Sequence, residues 1–329
     1  MTRPLVPLPA WFPTTLGIAL TGALTVIVAG VVPAPSWWPV TPIAPASAAA
    51  IEAAATRAES TVRQAARLIY LAKTEAGVFV DRGGPPEEVA LIGSESTPLV
   101  TTLGSLEAKR LAASPAWARA LTREFARAGV GEGSVVAAAF SGSFPGLNLA
   151  VSCAVQALGA RLFAVSSVTA STWGATDPGF TWPEIEVRLV DAGVIRPVSV
   201  AISVGGDSDR GLDLEVKART MAEAIAERTA RRLGAERLRP VSVDVAVQQR
   251  VDVLATHARG RPLAVFVNVG GTSAALGRTE GVLRLRTGWL TEAPPADAGN
   301  GLLGYYARRG TRVLHLLNIR DLAARWGLS

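Results

Sequence analysis

The sequence predicts an α/β protein in which an N-terminal transmembrane helix is followed by a doubly wound, mostly parallel sheet domain. An uncharged apolar stretch covers residues 11–32, short apolar runs recur later between helical segments, and a loop rich in Gly, Ser or Thr follows four of these runs. Continuous apolar runs separated by helices are typical of parallel strands that are buried on both faces. Right-handed crossovers between such strands give a doubly wound sheet.

The composition favours a folded chain with a sizeable core. Of the 329 residues, 49% are hydrophobic and 18% are charged, and the mean hydropathy is +0.30, which argues against global disorder. The net charge is +6, but the positive charges are scattered and no nucleic-acid-binding module accompanies them, so nucleic-acid binding is not indicated. Cys153 is the single cysteine, and its apolar surroundings predict a buried, inert thiol.

Residues 11–32 are predicted to anchor the chain in a membrane. As a helix they would extend about 33 Å, close to the thickness of a hydrocarbon core. Arg3 precedes the segment and no positive charge follows it until Arg57, so the positive-inside rule predicts a cytoplasmic N-terminus at residues 1–10. Tryptophans, which prefer the membrane interface, flank the segment at Trp11, Trp37 and Trp38.

A cleaved signal peptide is the alternative, because Ala46-Ser47-Ala48 resembles a cleavage site. The apolar stretch is long for a signal peptide and ends far from that site, which favours an uncleaved anchor. Residues 33–47 contain five prolines and are predicted to form a stiff linker. In both cases residues 48–329 form an extracytoplasmic α/β domain.

Within this domain, helical periodicity first predicts helices at 48–75 and 114–128, the second capped by Ser114. The helix at 48–75 is expected to pack on the body or to pair with a second subunit. Apolar runs then predict strands at 135–140, 161–165, 198–204, 263–269 and 312–317. Helices are predicted at 182–192, 212–233, 241–257 and 319–326, and alternation within 279–299 suggests a hairpin beside the sheet.

Ligands of open α/β sheets bind at the carboxyl ends of the strands, so the four small-residue loops are the candidate site. Small residues allow backbone N–H groups to approach a phosphate or a carboxylate. In the first loop, Ser141 and Ser143 are candidate anion ligands or nucleophiles, and Asn148 is a candidate ligand-binding residue. A simple capped turn is the alternative for this loop.

The other three loops carry similar candidates. In the second loop, Ser171 and Trp173 could form a polar wall with an aromatic platform. The third loop offers Gly205, Gly206 and Asp207, and Asp207 could hold a divalent cation together with Asp209. In the fourth loop, Gly270, Gly271 and Thr272 fit a close approach of backbone to ligand. Ordered surface loops and a Gly-Asp turn are the alternatives. None of the loops has a dinucleotide-binding or P-loop motif, so no cofactor is predicted.

Three further residues complete the candidate site. His315 could serve as a base for Ser141 or Ser143 if the last strand lies beside the first, although a lone histidine in an apolar strand is more often a core residue. The polar segment from Gly93 could fold over the strand ends as a lid carrying Glu95 and Lys109; a connecting loop is the alternative. One cysteine and two histidines do not favour zinc.

With these segments identified, the sequence resembles the poly-gamma-glutamate system protein family over residues 50–329. The resemblance rests on motifs that occur in order along the chain: Glu95-Ser96-Thr97-Pro98, Thr101-Thr102-Leu103-Gly104, Ser141-Gly142-Ser143-Phe144-Pro145, Ser171-Thr172-Trp173-Gly174-Ala175, Phe180-Thr181-Trp182, Gly205-Gly206-Asp207, Asn268-Val269-Gly270-Gly271 and His315-Leu316-Leu317-Asn318. It implies a role beside the proteins that synthesise and export poly-γ-glutamate in bacterial envelopes. It implies no catalytic residues.

Three functions remain open at this point. The domain could be a membrane-anchored accessory factor that binds the anionic, carboxylate-rich polymer, which suits helix N-termini and the positive net charge. It could be a hydrolase or transferase that uses Ser141 or Ser143 with His315. It could also be a structural subunit of the membrane synthase complex.

Overall fold

A seven-stranded, mostly parallel sheet forms the centre of the domain. The computed structural model describes residues 47–278, 281, 284–290 and 299–328. Its strands are β1 (Val100–Thr102), β2 (Val135–Phe140), β3 (Arg161–Ser167), β4 (Ala170–Ser171), β5 (Ser199–Ser203), β6 (Glu236–Arg237), β7 (Val265–Val269), β8 (Gly288–Trp289) and β9 (Arg312–Leu316).

The helices alternate with these strands along the chain. They are α1 (Ala48–Glu75), α2 (Pro86–Val89), α3 (Leu106–Ala113), α4 (Ala116–Arg127), α5 (Pro145–Ala157), α6 (Trp182–Asp191), α7 (Val216–Leu233), α8 (Val243–Ala258), α9 (Ser273–Leu276), α10 (Leu302–Ala307) and α11 (Ile319–Trp326). A 3-10 turn covers Asp207–Asp209.

The strand order of the large sheet is β6-β5-β3-β2-β7-β9-β8. Neighbouring strands are parallel except β8, which pairs antiparallel with β9. From β2 the chain winds outward to β6 and then returns to place β7 on the other side of β2. The order therefore reverses between β2 and β7, and in an open α/β sheet ligands bind at such a switch point. Strands β1 and β4 form a separate parallel pair.

Helices cover both faces of the sheet, as the uninterrupted apolar runs predict. Alternate residues of β2 enter different cores: Val136 and Ala138 pack in the cluster that contains α4, α5 and α6. Ala137 and Ala139 pack in the cluster that contains α8 and α10. A third cluster joins the end of β5 to α7. Since both faces are buried, the strands lack the polar alternation of a half-exposed sheet.

Helix α1 adds a further layer outside α4 and α5. Its small and β-branched residues face the body, where Ala55, Ala65 and Ala66 have no exposed surface and Val62 and Ile69 are also buried. Alanine at these positions allows helices to approach closely. Within the described chain, α1 therefore packs on the body, which is the first of the two arrangements expected for it.

The main strands and helices lie close to their predicted positions. The run at 135–140 and the helix at 319–326 have the predicted bounds. Within the segment predicted as a hairpin, Gly288–Trp289 forms the edge strand of the sheet and pairs with β9, and much of the rest of that segment lies outside the described residues. The predicted cap also forms: Ser114 follows the last residue of α3, its Oγ accepts from the N–H of Ala116 at 3.4 Å, and Pro115 has helical dihedral angles at the start of α4.

The predicted anchor at 11–32 and the linker up to residue 46 lie outside the described residues. Among the described helices, none combines the length and the apolar character that crossing a membrane requires.

Candidate functional site

A pocket of about 260 Å³ opens at the switch point of the sheet. Residues of all four small-residue loops line it, together with two threonines of β1; the lining residues are Thr101, Thr102, Ser141, Ser143, Thr169, Ala170, Gly206, Asp207, Asp213, Gly271, Thr272 and Ser273. Most of the lining side chains end in a hydroxyl group. The loops that are separate in sequence therefore meet at one edge of the sheet.

The loops after β2 and β7 meet through a glycine that a larger residue could not replace. The N–H of Ser141 donates to the carbonyl of Val269 at 3.1 Å. Gly270 has a φ of +89°, and a Cβ atom there would lie 2.8 Å from the Cβ of Ser141. Both the backbone conformation and the close approach require glycine. Gly270 thus sets the distance between the two loops and does not itself line the pocket.

Ser141 and Ser143 form a small hydroxyl network in the pocket wall. The Oγ of Ser141 accepts from the N–H of Ser143 at 3.1 Å and donates to the Oγ of Ser143 at 3.0 Å. The Oγ of Ser143 also accepts from the N–H of Ser171 at 3.2 Å. The hydroxyl hydrogen of Ser143 is thus free to donate to a ligand.

Asn148 supports this loop from within the core. Its side chain is fully buried, and its Nδ2 donates to the carbonyl of Ser141 at 2.8 Å. Its Oδ1 has no hydrogen-bond partner among the described residues. Asn148 therefore acts on the conformation of the loop and does not line the pocket.

Lys109 lies directly behind Ser143 and is almost fully buried. Its ammonium group donates to the carbonyl of Ser143 and to the Oγ of Ser171, the latter at 2.6 Å, and it lies 4.3 Å from the centre of the Phe144 ring. Among the described residues no carboxylate forms a salt bridge with it. Burial lowers the pKa of Lys109 to about 7, since an isolated charge is poorly solvated there.

The third loop contributes Gly206 and Asp207 to the pocket, but Asp209 is directed elsewhere. Both oxygens of Asp209 accept from the guanidinium of Arg250, at 2.6 and 2.8 Å, and both side chains are buried. Asp209 is thus neutralised by Arg250, whereas Asp207 is exposed at the pocket. Because their carboxylates are separated in this way, the cation site predicted from Asp207 and Asp209 does not form as expected. Within the described ranges there is no group of three or more metal-ligating side chains.

His315 is not beside the serines, and the predicted Ser–His pair is wrong. Strand β7 lies between β9 and β2, and the Nδ1 of His315 instead faces the Nδ2 of Asn268 at 3.0 Å. His315 faces a different pocket, which Asp321 and Arg325 also line. Burial lowers the pKa of His315 to about 4, so the ring is a neutral core residue near pH 7.

Four other predicted residues, Trp173, Glu95, Gly205 and Ser171, are also not among the residues that line the pocket. The ring of Trp173 packs against Phe79, with ring centres 5.9 Å apart. It therefore supports the segment that follows α1 and is no platform for a ligand. Glu95 is exposed and is not among the residues of the pocket wall. Of the predicted lid, Lys109 approaches the strand ends and Glu95 does not. Gly205, with a φ of +84°, packs its backbone against Ser167 and Thr169.

Sequence reasoning missed six lining residues: the β1 threonines Thr101 and Thr102, and also Thr169, Ala170, Asp213 and Ser273. The two threonines reach the pocket because β1 pairs with β4, and two strands of two or three residues leave little periodicity to detect. Asp213 lies seven residues after Gly206 and accepts from the N–H of Asp207 at 2.9 Å. Its position before α7 was a usable signal, because acidic residues are favoured near helix N-termini.

The pocket has a donor-rich side and an acidic side. On the first, the free hydroxyl hydrogen of Ser143 is joined by the N–H groups of Gly271 and Thr272, which have no hydrogen-bond partner among the described residues. On the second, Asp207 and Asp213 are both exposed. Such a site can bind an anionic oxygen on one side and an N–H donor on the other.

No family model, curated protein or solved structure matches this chain. The geometry of the pocket and the resemblance of the motifs are therefore the two observations that bear on function.

Proposed function

We propose that the protein binds a carboxylate-bearing chain of the poly-γ-glutamate type at the switch-point pocket, as an accessory factor of polymer synthesis or export. The observation that carries this proposal is the donor-rich wall, where hydroxyls and unpartnered N–H groups converge from separate loops. Such donors stabilise a carboxylate without a salt bridge, and the charge of Lys109 behind Ser143 adds to the favourable potential.

The acidic side of the pocket indicates how the bound chain would be oriented. A second carboxylate beside Asp207 and Asp213 would be repelled, whereas an amide N–H or an ammonium group would be attracted. A γ-glutamyl unit carries its free carboxylate and its amide N–H on the same carbon atom. It would therefore place its carboxylate near Ser143 and Thr272 and its nitrogen near Asp207.

In this proposal residues 11–32 anchor the domain in the cytoplasmic membrane, and the domain works on the outer side beside the synthase and export proteins. The polymer would reach the pocket as it leaves the membrane. The positive net charge of the chain would raise the local concentration of such a polyanion.

The test measures the affinity of the purified full-length chain for short γ-glutamyl oligomers at low salt. Ser143→Ala removes one donor and is expected to weaken binding about tenfold, the usual effect of losing a hydrogen bond to a charged group. Ser60→Ala is the matched control, because Ser60 is exposed on α1 and should leave the affinity unchanged. The proposal fails if the wild-type chain shows no affinity or if both variants bind like wild type.

A second candidate, a serine-dependent hydrolase or transferase, is favoured by the contact between Lys109 and Ser171. A buried lysine with a lowered pKa can accept a proton from a serine hydroxyl at 2.6 Å. Ser171 itself does not line the pocket, which is why binding is preferred. If the wild-type protein shortens γ-linked oligomers and Ser171→Ala does not, this candidate replaces binding; unchanged oligomer lengths with wild-type protein exclude it.

A further inference from the structure

A second cavity, of about 730 Å³, lies beside the switch-point pocket between α7 and the β6 edge of the sheet. We call it the arginine groove, because four arginines line it: Arg210, Arg219, Arg237 and Arg239. Three carboxylates also line it, namely Asp209, Glu223 and Glu227. Whether the groove attracts anions depends on how many of these charges already have partners.

Two of the three carboxylates are already neutralised. Asp209 is bound by the buried guanidinium of Arg250, and Glu227 forms a salt bridge with Arg239 at 2.5 Å. Only the exposed Glu223 remains to balance the other three arginines of the groove. Among the described residues, none of those three forms a salt bridge. The groove therefore carries an excess of positive charge.

Arg237 is the most constrained of these arginines. It is partly buried, its Nη1 contacts the main-chain carbonyls of Ile202 and Leu238, and its Nε is buried with no hydrogen-bond partner among the described residues. Burial and the neighbouring Arg239 lower its pKa, and the more distant charges of Asp209, Glu223 and Glu227 offset this only in part. An anionic group that entered the groove would supply the missing compensation.

One loop separates the arginine groove from the switch-point pocket. Gly206, Asp207 and Asp213 face the pocket, whereas Asp209, Arg210 and Leu212 face the groove. An extended chain that leaves the pocket needs to cross only this loop to reach the arginines. The two cavities thus offer different chemistry, with hydroxyl and N–H donors in the pocket and guanidinium groups in the groove.

We propose that the arginine groove is a second subsite for the same carboxylate-bearing chain, so that the protein holds an extended segment and not a single unit. This inference rests on the proposed function. The pocket selects one unit by its shape and donors, and Arg237 with Arg219 attracts carboxylates further along the chain. Occupying both subsites makes affinity depend on chain length, because the second contact is intramolecular.

The test compares two γ-glutamyl oligomers, a dimer and one of about ten residues, binding to the full-length protein at low salt. Arg237→Met is expected to weaken binding of the long oligomer by about tenfold or more, while binding of the dimer changes by less than about twofold. Arg161→Met is the matched control: Arg161 is exposed at the amino end of β3, and its loss changes the net charge equally.

The outcomes separate this inference from the proposed function. Equal losses in Arg237→Met and Arg161→Met would show general attraction and overturn the subsite. If both oligomers bind but Arg237→Met has no selective effect on the long one, the subsite is overturned and the function stands; if neither oligomer binds, both are overturned. Equally tight binding of polyphosphate would contradict a carboxylate subsite.

Should Arg237→Met lower the melting temperature, Arg219→Met replaces it, because no hydrogen bond of the Arg219 side chain is found among the described residues.

Discussion

Two buried lysines of this domain have different surroundings. The ammonium group of Lys73 donates to the carbonyls of Ile92 and Ala90, at 2.7 and 3.3 Å, and the charge of Asp177 partly offsets the effect of burial on its pKa. Lys109 has no such carboxylate, and desolvation alone lowers its pKa. Lys73 fastens the end of α2 to α1, whereas Lys109 lies behind the pocket wall without a carboxylate partner among the described residues.

Lys109 makes the stability of the domain depend on pH. Its pKa is about 7 in the folded chain and near 10.5 in an unfolded one, so between these values the unfolded chain binds more protons and the free energy of unfolding rises with pH. We expect Lys109→Met to reduce this rise by up to about 1.4 kcal/mol per pH unit.

Chemical denaturation between pH 7 and pH 10 measures this effect. Lys73 contributes a dependence of the same sign, since burial lowers its pKa to about 8, so some slope should remain in the variant. Lys217→Met is the control, because Lys217 is exposed on α7. An unchanged slope in Lys109→Met would contradict the assignment.

At the scale of single residues, the sequence indicates which polar residues follow the strands. It gives little information about whether a side chain is buried or which residues lie next to it. Ser141, Ser143 and Thr272 follow apolar runs, so their place at the strand ends could be predicted. Lys109 and Glu95 occur in one polar segment, and nothing in that segment distinguishes the buried side chain from the exposed one. His315 was misplaced because residue spacing gives no information on which strand lies between two others.

Among the elements, the loop after β5 is fastened to a helix by a buried ion pair. Arg250 projects from α8 and binds Asp209 and the Oγ of Ser203, the latter at 2.7 Å. The ion pair ties the loop to α8, which lies on the opposite face of the sheet from α5 and α6. It thereby holds Gly206 and Asp207 at the pocket. Removing one member of such a pair leaves a buried charge without a partner.

Arg250→Met is therefore expected to destabilise the domain by about 3–5 kcal/mol. Arg232→Met is the matched control, since its salt bridge with Asp191 is exposed on both sides and should be worth less than about 1 kcal/mol. Urea denaturation of both variants measures the difference. Equal losses would show that the buried pair does not hold the loop.

Length decided which elements could be recognised in the sequence. Strand β2 has six apolar residues in succession and its bounds were predicted, because no polar residue interrupts a strand that is covered on both faces. Strands β4 and β6 have two residues each, and a pattern of period two cannot be seen in two residues. Their position depends on the tertiary contacts of β1 and β5.

At the scale of the whole molecule, the reversal of strand order places the site. The sequence predicts alternating strands and helices, and hence a doubly wound sheet. It does not predict that the chain returns after β6 to place β7 beside β2, because this depends on α8 crossing to the opposite face of the sheet from α5, α6 and α7. The expectation that the small-residue loops share one edge follows from parallel pairing alone.

The outer layer formed by α1 is expected to contribute to the stability of the whole domain. Ile69→Ala, in the buried face of α1, should lower the free energy of unfolding by about 2–5 kcal/mol through loss of packing. Leu71→Ala is the control on the same helix, because Leu71 is 67% exposed and should change stability by less than about 0.5 kcal/mol.

Thermal or urea denaturation compares the two α1 variants. A single transition for Ile69→Ala would show that α1 unfolds together with the sheet. If Ile69→Ala has no more effect than Leu71→Ala, α1 is an appendage whose contacts with α4 and α5 add little.

Both outer strands of the large sheet, β6 and β8, have only two residues. A long free edge presents a row of unpaired N–H and C=O groups that can recruit a strand from another chain. Here each margin offers few such groups, so edge-to-edge polymerisation has almost no template. One of these margins, β6, is formed by Glu236 and Arg237, and charged side chains on an edge strand further disfavour its pairing with a strand of another chain.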